Sequence, residues 1–205
     1  MGGHAEVLHP DHNDAQFGKA TPGKIGMWIF LGTDGMSFSG FLIAYGILRA
    51  TSEWPNPVEA LGGVGLSGFM TFILICSSVS MVFAIDGCKR KDRNSMLNWL
   101  LATIIGGAIF LGIQVYEYQH LIHDMGMTFS EYTKGNNLFS STFFAITGFH
   151  GLHVLTGVIY LICMYVKALK GDFDNGDINM LEIAGLFWHF VDLVWILVFT
   201  FIYLL

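Results

Sequence analysis

Five uninterrupted apolar runs, near residues 25–48, 64–85, 97–120, 138–166 and 182–205, dominate this chain. A helix needs about 20 residues to cross hydrocarbon, and every run reaches that length. Composition agrees: 53% of the 205 residues are hydrophobic and 13% charged, and the mean hydropathy is +0.56. Those values lie outside the range of a soluble domain of this size. The expected fold is therefore all-α, a polytopic membrane bundle of five transmembrane helices.

The connections between runs hold nearly all the charge, together with turn formers such as Glu53-Trp54-Pro55-Asn56-Pro57 and Gly171-Asp172-Phe173-Asp174-Asn175-Gly176. Their Lys and Arg are unequally divided. Lys19, Lys24, Lys89, Arg90, Lys91, Arg93, Lys167 and Lys170 fall on one side of the expected bilayer, and only Arg49 and Lys134 on the other. Basic residues collect on the cytoplasmic side, which predicts a cytoplasmic N-terminus and, after five crossings, a C-terminus on the outer side. Two regions follow: a polar cytoplasmic tail over 1–24 and a transmembrane domain over 25–205. The tail has no apolar core segment, so a cleavable signal peptide is not expected. Its His4, His9 and His12 have no metal-ligand spacing and read as solvated.

The net charge of -6 and the absence of any basic run longer than Lys89-Arg90-Lys91 argue against nucleic acid as a partner. Cys76, Cys88 and Cys163 are scattered, with no paired spacing for a disulfide framework, a thiolate copper centre or covalent haem. Glycines within the spans, among them Gly32, Gly35, Gly40, Gly106, Gly107, Gly112, Gly148, Gly151 and Gly157, allow helices to approach closely. Trp28, Trp99, Trp188 and Trp195 read as lipid-facing or packing residues rather than a cofactor box.

Ionisable and other polar groups inside the spans are the chemical signal, since an ionisable one costs about 2.5–3.5 kcal/mol to insert. They are Asp34 in the first span, Gln114 and Glu117 in the third, His150 and His153 in the fourth, and His189 and Asp192 in the fifth. At a rise of about 1.5 Å per residue, Asp34 and Asp192 lie roughly 13–15 Å from the cytoplasmic ends and His189 about 10 Å. His153 descends about 22 Å from the outer side of a core about 30 Å thick and meets the same layer. An internal polar network of Asp34, His150, His153, His189 and Asp192 is expected, with Gln114 and Glu117 as a separate polar pair nearer the outer face.

Such a set admits several readings. Facing imidazoles and carboxylates are apt haem or metal ligands, but the Glu-x-x-His pairs of a di-iron bundle are missing. Buried carboxylates and histidines also suit a proton or ion path. A site for lipid head groups or a partner subunit is a third reading. A satisfied interhelical hydrogen-bond network without chemistry is the fourth. A stand-alone transporter and a membrane dihaem cytochrome are the corresponding alternatives of a different class.

Three segments resemble the signatures of subunit III of haem–copper terminal oxidases: Gln114-Val115-Tyr116-Glu117-Tyr118, Thr147-Gly148-Phe149-His150-Gly151-Leu152-His153-Val154, and Trp188-His189-Phe190-Val191-Asp192-Leu193-Val194-Trp195. They occur in the family's order and on its helices, and the likeness runs from about Lys24 to the end. The chain resembles the five-span short form, which lacks the first two of seven spans. In Phe30-Leu31-Gly32-Thr33-Asp34-Gly35-Met36-Ser37-Phe38, Asp34 stands where many cytochrome c oxidases carry Glu and is similar to bo-type quinol oxidases. The electron donor, cytochrome c or quinol, stays open on that single carboxylate.

The resemblance implies a bacterial inner-membrane subunit with no catalytic residue, cofactor or metal of its own. It implies direct packing against oxidase subunit I, which carries the haems and copper, alongside subunit II and other oxidase subunits. It further implies a V-shaped cleft that holds phospholipid, and support of proton uptake and sustained turnover during aerobic electron transport. The sequence independently agrees on the missing redox centre: it has no cysteine pair for a binuclear copper site and no set of histidines adequate for two haems and a copper.

Overall fold

A computed structural model describes residues 21–133, 135–173 and 178–205, so His4, His9, His12 and most of the expected tail lie outside the described residues. The elements are α1 (Pro22–Thr51), the single turn α2 (Pro57–Ala60), α3 (Gly65–Lys89), α4 (Arg93–His123), α5 (Asn137–Lys170) and α6 (Asn179–Val198). A π-helical turn, Phe199–Leu204, continues α6 to the end of the chain.

The five long helices match the five apolar runs, but each begins before its run, ends after it, or both. Capping chemistry sets those ends. Pro22 opens α1 with a ring already fixed for the first turn. Asp92 accepts from the Ser95 N–H to start α4, and Asn136 accepts from the Leu138 N–H to start α5. Gly171, at φ 89°, closes α5 in a left-handed turn in which its N–H and that of Asp172 reach back to α5 carbonyls.

α3, α4, α5 and α6 pack in a closed ring, each against the next and α6 against α3, while α1 lies outside the ring against α5 and α6. The ring encloses a core of Met70, Leu74, Met81, Leu100, Phe110, Phe143, Trp188 and Trp195, all almost wholly buried. Small residues let Trp188 in. A Cβ added at Gly107 would come within 2.5 Å of the Trp188 ring, and one at Gly157 within 3.1 Å. The indole N–H of Trp188 donates to Ser77 Oγ at 3.2 Å, and that of Trp195 to Thr71 Oγ1 at 3.0 Å. Both tryptophans, seven residues apart, therefore fasten α6 to α3 rather than face lipid. Gly32, Gly40 and Gly112 face open space, so not every glycine in the spans marks a close approach.

The outside is apolar. Trp28, Ile29, Met36 and Ile43 on α1, Phe72 on α3 and Leu152 on α5 are each more than 60% exposed. A surface of this kind is stable in hydrocarbon rather than water. Among the described residues, five helices long and apolar enough to cross a bilayer make this a polytopic membrane bundle.

At the end of the bundle opposite Lys24, the 52–57 link folds back over α5. Trp54 donates to Tyr45 Oη at 3.2 Å and packs edge-on against Phe139, and Asn136 Nδ2 donates to the Glu53 carbonyl at 2.9 Å. Ser140 Oγ donates to the Thr128 carbonyl and holds the 124–136 loop onto α5.

Candidate functional site

Helical geometry decides which intramembrane polar groups meet. His150 and His153 are three residues apart and point about 60° apart around α5. His153 faces α1, where Nε2 lies 3.2 Å from Asp34 Oδ1. Its Nδ1 is 2.8 Å from the Phe149 carbonyl, which can only accept, so Nδ1 carries a proton. A hydrogen bond between Nε2 and Oδ1 then requires one further proton between those two atoms.

His150 faces the interior of the ring instead, fully buried against the rings of Trp195, Phe110 and Phe38. Neither of its nitrogens has a hydrogen-bond partner among the described residues. The expectation that it joins the Asp34 network is corrected here: aromatic side chains from α1, α4 and α6 occupy the space around it.

His189 and Asp192 form a second centre on α6. Ser78 of α3 lies 2.6 Å from His189 Nδ1, and its hydroxyl also reaches the Asp192 carboxyl. Asp192 is only 8% exposed, and its Oδ1 has no partner among the described residues. His189 lines a cavity of about 510 Å³ at the Lys24 end of the bundle, with Val82, Ile85 and Leu186 as apolar walls. At its mouth Glu182 bridges Lys24 of α1 at 2.5 Å and Lys89 of α3 at 3.2 Å, and Asp86 pairs with Arg90 at 2.9 Å. The single expected network is thus two separate centres, one between α1 and α5 and one between α3 and α6.

Gln114 and Glu117 are both buried but serve different neighbours. Gln114 Nε2 donates to the Thr147 carbonyl at 2.8 Å, and Tyr118 Oη lies 2.7 Å from Thr147 Oγ1, tying α4 to α5. Gly151 leaves room for that amide, since a Cβ there would stand 2.8 Å from Gln114 Oε1. Glu117 Oε2 accepts from Tyr203 Oη at 2.9 Å. They fasten α4 to two partners and do not act as a pair.

Three features escaped the sequence reading. Ser78 sits in the polar cluster Ser77-Ser78-Val79-Ser80 inside an apolar run, a signal that marks a polar contact but not its partner. Tyr203 lies in the π-helical turn, whose extra residue per turn no apolar periodicity announces. The bridge of Lys24 and Lys89 on Glu182 joins residues on three helices, beyond the reach of local pattern.

The arrangement can hold helices in register and share protons between neighbouring groups. Among the described residues no three His, Cys, Asp or Glu side chains converge as a metal site.

The family model for cytochrome c oxidase subunit III matches residues 10–205. Cytochrome c oxidase subunit 3 of Alkalihalophilus pseudofirmus is 31% identical over 182 residues, covering 88% of this chain and 85% of the relative. The corresponding protein of Corynebacterium diphtheriae is 34% identical over 184 residues, covering 88% and 86%. Quinol oxidase subunit 3 of Bacillus spizizenii is 30% identical over 181 residues, again covering 88% and 86%. With a match across nearly its whole length, and with the three polar motifs on α4, α5 and α6, the chain belongs to the cytochrome c oxidase subunit III family.

Proposed function

We propose that this chain is the non-redox subunit III of a bacterial respiratory haem–copper oxygen reductase of the cytochrome c oxidase type. It packs directly on subunit I, where the haems and copper reside, with subunit II and the other oxidase subunits beside it. Its role is to stabilise the catalytic subunit, to hold phospholipid against its flanks and to support proton uptake. The N-terminus and the Lys24 end face the cytoplasm and the C-terminus faces the outer side of the inner membrane, because the basic residues are gathered at that end.

One observation carries this reading. The intramembrane polar side chains pair off between helices, Asp34 with His153, Gln114 with Thr147 and Glu117 with Tyr203, instead of converging on one centre. That pattern suits a scaffold. The lipid role draws on open apolar grooves along α1, one lined by Met36, Leu42, Phe190 and Leu197 and another by Met27, Phe30, Tyr160 and Phe187.

The test is to tag the chain in its native membrane, extract it in mild detergent, and record reduced-minus-oxidised spectra before and after its partners are stripped away. Haem signal and oxygen consumption should copurify and then leave with a larger subunit. A stripped chain that keeps a haem spectrum overturns the proposal and makes His150, His153 and His189 ligand candidates. Oxygen consumption driven by reduced cytochrome c supports the assigned donor, and consumption driven only by quinol makes this a quinol oxidase subunit.

A further inference from the structure

The charged cavity at the Lys24 end continues into the bundle through hydrogen-bonded side chains. His189 lines it, Ser78 Oγ is 2.6 Å from His189 Nδ1, and the same hydroxyl reaches Asp192. Asp192 is more than nine-tenths buried, and its Oδ1 has no partner among the described residues. At about 510 Å³ the cavity is large enough for several waters. Its mouth carries two ammonium groups and two carboxylates, groups that favour water over lipid.

We infer that His189, Ser78 and Asp192 form a proton relay within this chain, loading Asp192 from water in the Lys24-end cavity. The inference deepens the proposed support of proton uptake and rests on that end facing the cytoplasm. With Nδ1 of a neutral His189 protonated, Nδ1–H donates to Ser78 and Ser78 donates to the Asp192 carboxylate. A proton arriving from water at Nε2 releases the Nδ1 proton to Ser78 Oγ, and the Ser78 proton passes to Asp192. One proton has entered and one carboxylate has become a carboxylic acid, while the imidazole ends neutral as the Nε2–H tautomer. Resetting the relay requires both that Asp192 release its proton to a neighbour and that the imidazole return to its Nδ1–H tautomer.

The surroundings leave this path distinct. At the mouth Lys24 from α1 and Lys89 from α3 are engaged by Glu182 of α6, and Asp86 of α3 by Arg90. Deeper in the bundle Asp34 of α1 pairs with His153 of α5, and His150 is enclosed by aromatic rings. Glu117 of α4 is bonded to Tyr203.

The test uses the intact oxidase complex at rest in lipid nanodiscs. A pH step is followed by time-resolved infrared spectroscopy in the carboxylic-acid C=O region, with wild type, Asp192→Asn, Ser78→Ala and His189→Phe. A band that follows bulk pH and is removed by Asp192→Asn is expected. Ser78→Ala should keep that band but slow its appearance about 10²-fold, the scale of a lost proton carrier. His189→Phe should do the same. Should that variant not assemble, Ser78→Ala, a small change at a half-buried site, decides the matter alone. No pH-responsive band assignable to Asp192, or an unchanged rate in Ser78→Ala, overturns the relay. The haem spectrum of the same samples reports separately on subunit III membership, so the relay can fail while that reading stands.

Discussion

The Tyr203 hydroxyl donates to Glu117 Oε2 at 2.9 Å, binding the last turn of the chain to the middle helix of the α3–α4–α5 run. Both side chains are buried, so the bond has no water to replace it. Tyr203→Phe should destabilise the fold by about 1–3 kcal/mol, the cost of a buried acceptor left without its donor. Glu117→Gln, whose amide oxygen can still accept, should cost less. Thermal unfolding in detergent, followed by helical circular dichroism, checks the order; equal losses would show that the bond does not matter.

Asp34 Oδ1 and His153 Nε2 lie 3.2 Å apart, within reach of a hydrogen bond between α1 and α5. In Asp34→Asn the amide can donate to a neutral Nε2, so α1 keeps its link to α5. Asp34→Leu cannot bond at all. Copurification with subunit I should be nearly normal for Asn and clearly weakened for Leu. If both variants behave alike, hydrogen bonding is not what Asp34 provides.

His150 offers the reverse case. Its nitrogens are buried without partners, so an apolar ring of similar size removes a desolvation cost instead of a bond. His150→Phe should leave stability within about 1 kcal/mol of wild type or raise it. A loss well beyond that in the same unfolding assay would mean the imidazole nitrogens are bonded in the membrane.

Gly151 exists beside Gln114 as a space. Gly151→Ala would bring Cβ to 2.8 Å from Gln114 Oε1 and push the amide off the Thr147 carbonyl, at a cost of about 1–3 kcal/mol for overpacking. The double variant Gly151→Ala, Gln114→Ala should be less destabilised than the sum of its parts. A coupling near zero in that double-mutant cycle would count against the contact.

Gly107 is tighter still, with a virtual Cβ 2.5 Å from the buried Trp188 ring and 2.7 Å from Val158. Gly107→Ala has to displace Trp188 from Ser77, whereas Gly112→Ala, facing open space, should be neutral or mildly stabilising because alanine favours helix. Tryptophan fluorescence and unfolding midpoints of the two variants measure this contrast.

Sequence alone established the number of membrane-spanning helices, the membrane as their solvent, and which intramembrane groups are polar. Each follows from a local property: the length of an apolar run, or the cost of one polar group in hydrocarbon. The depth estimate even brought Asp34 and His153 to one layer, because rise per residue is fixed by the helix itself. Depth does not specify direction. At about 100° per residue, a small rotation about the axis chooses the neighbour a side chain meets. That rotation is set by packing of distant residues, such as Trp188 against Gly107 and Gly157. Only the tertiary structure therefore separated His150 from His153, gave Gln114 to Thr147 and Glu117 to Tyr203, and placed Ser78 between His189 and Asp192.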